Sequence, residues 1–289
     1  MAFTFFTLGG KQLWEDLFFY QGWRIQRNCL TKRYRLLDSW DIRRESGTLL
    51  HCQNAFIHYI EVYQLLRPKQ KAVVMLHGLS QTKDIFESMS AAFEKESFTA
   101  IAINYPSLRK NFDNFTEQLN FLLKNLKDIQ EVNFIVYGLG GLILRKLLSK
   151  YSSWQSRIRI GRAVMINVPN QGWTGGERLG KIALFAKFIP ALKIYESENI
   201  KRLPNIPQKL DTGILTTWNP ITSVFINILP EKLRRLLPAA KDSHIDSAKE
   251  ILSAKTFNIF PTKNRSVIMY CINFIKTGKF NSSQKIKKL

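Results

Sequence analysis

Asn133-Phe134-Ile135-Val136-Tyr137-Gly138-Leu139-Gly140-Gly141-Leu142-Ile143-Leu144 is the stretch on which the fold turns. A short apolar run rich in β-branched residues breaks at glycine and becomes a leucine-rich segment ending in Arg145, Lys146 and Lys150. The run predicts a buried strand, the glycines a sharp turn, and the leucines a helix. Working outward, strands are expected over 72–76, 98–104, 163–167, 213–217 and 256–260, and helices over 82–96, 114–129 and 266–276. Such alternation is the pattern of a parallel sheet covered on both faces.

The chain has 289 residues, enough for one large α/β domain with a sizeable core. Its apolar content of 45% excludes a disordered chain. The formal net charge is +21, from 43 Lys and Arg against 22 Asp and Glu. That balance favours an acidic partner such as an anionic membrane surface, or reflects compositional drift spread along the chain. Cys29, Cys52 and Cys271 have no Cys-x-x-Cys spacing and read as reduced thiols of a reducing compartment. No run of eighteen or more apolar residues occurs, and the apolar start lacks a basic leader and cleavage site. The expected location is cytoplasmic, with peripheral attachment to the inner face of a membrane as an option.

Three regions are expected: a helical N-terminal extension over 1–66, a core over 67–280 with a cap inserted at 172–212, and a basic tail over 281–289. Leu13, Trp14, Leu17, Phe18, Tyr20, Trp23 and Ile25 stand at loosely helical spacing. A helix there would lie in a bilayer interface or pack as a lid on its own domain. A second helix is expected over 47–66, closed by Pro68. An apolar cap helix is expected around Leu179–Ile189, with Trp173 and Thr174 at its hinge.

Several stretches together resemble the lipase/esterase branch of the α/β-hydrolase fold. These are Met75-Leu76-His77-Gly78-Leu79, Tyr105-Pro106-Ser107, the run Val136 to Gly141, Asn167-Val168-Pro169-Asn170-Gln171-Gly172, and the closing Phe274 to Phe280. The resemblance implies a mostly parallel central sheet flanked by helices, with a nucleophile elbow at the strand-to-helix turn, normally Gly-x-Ser-x-Gly. It places Gly138 at the nucleophile position, and no Ser, Cys or Asp lies between Gln130 and Leu148. It makes the backbone N–H groups of Leu79 and Leu139 an oxyanion-hole pair, and sets His77, Gly78, Tyr137, Gly140 and Trp173 around the pocket.

The triad acid falls on Asp242, which reads equally as a helix N-cap. The histidine position falls on Asn258, with Lys255 or Asn264 as gapped alternatives, and no histidine follows His244. The resemblance therefore implies a hydrolase fold without its triad, binding an apolar or acyl ligand or a partner. The rivals are an active hydrolase with a relocated nucleophile, Ser80 or Ser107 with His244, and a basic interaction scaffold. No cofactor is called for. His51 and His58 stand two turns apart on one expected helix, too far to share a metal ion. No nucleic-acid-binding motif occurs, so charge alone carries that case.

Overall fold

Lys71–Leu76 has one charged residue followed by five apolar ones, and all five are buried. A strand with both faces buried belongs at the centre of a covered sheet. The computed structural model, which describes residues 10–182, 187–218, 243–256 and 260–281, places it there. Beside this β5 run β6 (Thr99–Ile103), β7 (Glu131–Tyr137), β8 (Arg159–Ile166), β9 (Thr212–Trp218) and β10 (Glu250–Lys255). The sheet order is β10-β9-β8-β7-β5-β6, and every pairing is parallel.

Helices cover both faces. α2 (Glu87–Lys95) and α7 (Arg265–Thr277) bury Met89, Phe93, Val267, Cys271 and Phe274 on one side. α3 (Phe112–Lys124) and α4 (Leu139–Leu148) bury Phe115, Leu119, Leu122, Leu142 and Leu147 on the other. Between β8 and β9 the cap contributes α5 (Thr174–Lys181), a 3₁₀ turn (Pro190–Tyr195) and α6 (Ser197–Arg202). Residues 183–186 of the expected cap helix lie outside the described residues. No described helix is long and apolar enough to cross a membrane. Cys29, Cys52 and Cys271 are free and buried.

The last strand among the described residues is β10, Glu250–Lys255; residues 257–259 of the strand expected over 256–260 lie outside the described residues. One expectation is corrected. The helix expected over 11–29 is an antiparallel hairpin, β1 (Trp14–Tyr20) and β2 (Trp23–Asn28), extended by β3 (Tyr34–Leu37) and β4 (Arg43–Gly47) into a four-stranded sheet. A bulge between Asp16 and Phe18 and burial on both faces of β1 destroy the period-two pattern that marks a strand. The turn is Gln21-Gly22, both at positive φ, the two-residue hairpin geometry that glycine favours. α1 (Leu49–Val62) forms where expected, capped by the Thr48 hydroxyl, and lays Cys52 and Phe56 on Trp23, Ile25 and Leu36.

Candidate functional site

At the end of β7 the chain reverses at Gly138, φ 53° and ψ −118°, and enters α4 directly. The bend is tied by Gly138 N–H to the Ile166 carbonyl and by Gly141 N–H back to the Gly138 carbonyl, each 3.1 Å. A non-glycine residue in that backbone region is strained by about 1–3 kcal/mol, and glycine relieves it. Space is not the constraint at this position. A Cβ on Gly138 would meet only the Gly78 Cα, at 3.5 Å. The following Gly140 has no such freedom, because its Cβ would sit 2.5 Å from the Leu76 carbonyl oxygen. Close packing of α4 on β5 thus explains the second glycine.

Beside the bend lies a cavity of about 350 Å³. Gly78, Leu79, Tyr137, Gly138, Leu139 and Trp173 line it, joined by Gln81, Asn167, Pro169, Tyr195, Thr217 and Ser243. No charged side chain lines it among the described residues. Its polar groups engage one another. Asn167, at positive φ, donates its amide to the Thr217 hydroxyl at 2.7 Å and accepts the Thr217 N–H at 2.8 Å. Gln81 accepts the Gly78 N–H at 2.9 Å. Burial raises the Tyr137 phenol above its ordinary pKa, partly offset by hydrogen bonds with Asn167 and Gln81. Tyr195 meets Trp173 edge to face and is also raised by burial. No described group accepts the Leu79 N–H.

His77 and Gly140, expected around the pocket, stand behind its wall. The His77 ring is fully buried and stacks on Tyr105 with centroids 3.8 Å apart. Its Nδ1 lies 2.8 Å from the Gly78 carbonyl, and its Nε2 accepts the Tyr105 N–H at 3.4 Å. Burial lowers its pKa to about 4, so the ring is neutral at pH 7. It shapes the turn of the 77–81 loop.

Asp242 and Asn258 lie outside the described residues, although Ser243 reaches the cavity. The alternatives for the histidine position have other work. Asn264 caps α7 by accepting the N–H groups of Ser266 and Val267, and Lys255 lies over the Trp218 ring. His244 is exposed and pairs with Asp246 at 3.2 Å. Ser107 is fully buried and accepts the Ser80 N–H while its hydroxyl bonds Gln12. Of the paired histidines on α1, His51 pairs with Glu45, while the His58 ring packs on Tyr59.

Sequence reasoning passed over Gln81, Thr217 and Tyr195 because uncharged polar residues carry no motif of their own, and it quoted Asn167 in the run after β8 without giving it a role. It also missed Arg145, buried on α4, which donates to the carbonyls of Asn170, Leu203 and Pro204 at 2.9–3.1 Å and so pins both ends of the cap. Desolvation depresses its pKa. Arg145→Met is expected to lose about 2–4 kcal/mol in urea unfolding, because three carbonyls lose their donor, two of them on the buried Asn170 and Leu203. Limited proteolysis should then cut within 170–206 before the rest of the chain.

No protein-family model matches this sequence. No curated protein matches it either. Solved structures do. The mature Bacillus licheniformis lipase BlEst2 superposes with TM-score 0.51 at 16% identity, over 75% of this chain and 95% of that one. Its propeptide form gives TM-score 0.52 at 15% identity, over 77% and 54%. The parallel six-stranded sheet, the helices on both faces and the tight bend after β7 define an α/β-hydrolase fold, and this chain has it.

Proposed function

We propose that the protein binds an uncharged apolar or acyl ligand in the cavity beside Gly138 without hydrolysing it, loosely attached to an anionic membrane face. The observation that carries this reading is a cavity wall with no charged group and no histidine among the described residues, built around a bend without a side chain. Covalent catalysis needs a nucleophile and a base within hydrogen-bond reach. A buried carboxylate or phosphate would need a counter-charge, whereas a neutral ester carbonyl needs only donors such as the Leu79 N–H. The rival hydrolase would need His244 to leave Asp246 for Ser80, or buried Ser107 to surrender its hydrogen bonds.

Equilibrium dialysis with a neutral acylglycerol tests the proposal. The ester should be retained and recovered intact, and the matching fatty-acid anion should bind more weakly. Release of free acid, or fluorophosphonate labelling lost in Ser80→Ala or Ser107→Ala, overturns it. Gly138→Ser should fold, since a Cβ there has room, at a cost of about 1–3 kcal/mol for the strained φ. It should acquire no ester hydrolysis.

A further inference from the structure

Two grooves meet at the C-terminal end of α4 and share Asp113, Lys146 and Lys150, so they form one trough. One limb runs under the Pro190–Tyr195 turn and α6 over an apolar floor of Phe112, Ile194 and Leu203. The other follows α3 to Lys124 and Tyr151, a residue 76% exposed. The trough holds Lys124, Lys146, Lys150, Lys193 and Arg202 against Asp113 and Glu117. Lys146 pairs with Asp113, and Arg202 pairs with Glu198 at 3.3 Å. Among the described residues no carboxylate lies within ion-pair distance of Lys124, Lys150 or Lys193.

The basic cleft at the N-terminal ends of β5, β7 and β8 differs in kind. There Arg159 pairs with Glu131, Arg162 with Asp211 and Lys276 with Glu96, so each carboxylate already holds a cation. Only Lys71 and Lys209 remain outside those pairs.

We propose that the trough is the face by which the protein docks on an anionic bilayer. Unpaired lysines above an apolar floor, with an exposed tyrosine at the rim, match the boundary between charged headgroups and acyl chains. A single-stranded nucleic-acid track would ask instead for a row of aromatic platforms along the groove, and the trough offers only Tyr151 at its rim and Phe112, already under the Lys146 ammonium at 5.5 Å. The Pro190–Tyr195 turn serves both sites, since Lys193 and Ile194 line the trough while Tyr195 lines the elbow cavity. Docking therefore sets the cavity roof at the membrane, where an acyl ligand is found. The inference rests on the membrane attachment in the reading above and is independent of what the cavity binds.

Flotation of the full chain with phosphatidylcholine vesicles, with and without phosphatidylserine, is the test. Binding should require phosphatidylserine and fall with salt. Lys150→Glu with Lys193→Glu should weaken it by about tenfold or more, since each cation near the surface contributes about a factor of five. Lys71→Glu with Lys209→Glu, an identical change in net charge, should leave it within about twofold. Circular dichroism melting checks both variants, and Lys150→Gln with Lys193→Gln replaces the first if it unfolds. Equal losses in the two variants, no loss in the trough variant, or duplex nucleic acid displacing the vesicles would each overturn the assignment. Failure of the unaltered chain to float would overturn membrane attachment itself and leave the cavity reading to its own dialysis test.

Discussion

Replacing Asp16 by alanine is expected to lower the unfolding free energy by about 3–5 kcal/mol, because it strips the buried Arg24 of its 2.9 Å partner and leaves only the longer 3.8 Å pairing with Asp41. The Asp16 carboxylate accepts from Arg24 at 2.9 Å, Gln26 at 2.6 Å and the Asn104 N–H at 2.8 Å. Asp16 and Arg24 are almost wholly buried, with side chains 2% and 8% exposed. Gln118 on α3 adds bonds to the carbonyls of Asp16 and Asn104. This cluster keys the N-terminal sheet to the end of β6. From there a chain of contacts runs through Ser107 and Gln12 to Gln81 and Ser80, in the loop that borders the cavity. The Asp16→Ala protein should therefore lose acyl-ligand retention along with stability. Urea unfolding of Asp16→Ala, Arg24→Met and the double variant measures the coupling, and the double variant should cost less than the sum of the two. A loss under about 1 kcal/mol would mean that the sheet is held by other contacts.

The second large effect is a loss of stability in acid traceable to His77. Its folded pKa, about 4, lies below the ordinary value of 6.5. Above pH 6.5 both folded and unfolded forms are neutral there, and the residue contributes no pH dependence. As pH falls from 6.5 to 4 the unfolded chain takes up a proton that the buried ring refuses. Folding loses about 1.4 kcal/mol per pH unit across that window, to a total of about 3 kcal/mol. Below pH 4 the term is constant. Chemical denaturation at pH 7, 5.5 and 4 should show this slope in the unaltered protein. His77→Phe keeps a planar ring over Tyr105 but removes the titration, so its curve should be flatter across the same interval. Equal slopes in the two proteins would remove His77 as the cause.

The core was legible because its signals are local. Apolar runs such as 72–76 and 134–137 become strands with both faces buried, and the glycines after Tyr137 mark the bend by the conformations and close approaches they permit. β10 was not picked out because at the sheet edge it alternates between exposed and partly buried positions and lacks an unbroken apolar run. The N-terminal sheet was read as a helix although Gln21-Gly22 carried the hairpin signal. Its strands hold Glu15, Asp16 and Arg24 in the interior, and besides pairing within the hairpin those charges draw on partners such as Asn104 and Lys110, nearly ninety or more positions away. Nothing in a local window announces such partners. The cavity shows the same division. Gly138, Leu139 and Trp173 stood out in the motifs, whereas Asn167, Thr217 and Gln81 gain meaning only when three separate strand ends converge.

By itself, the chain of residues determined that the bend after β7 carries no hydroxyl, thiol or carboxylate and that no histidine follows His244, because a missing side chain is a chemical fact that no folding can repair. Only the tertiary structure decided that the cavity wall is free of charge among the described residues, that His77 serves the wall and not the pocket, and that five cations gather beside α4. Those properties depend on distances between residues remote in sequence, and burial, pairing and field strength are functions of distance.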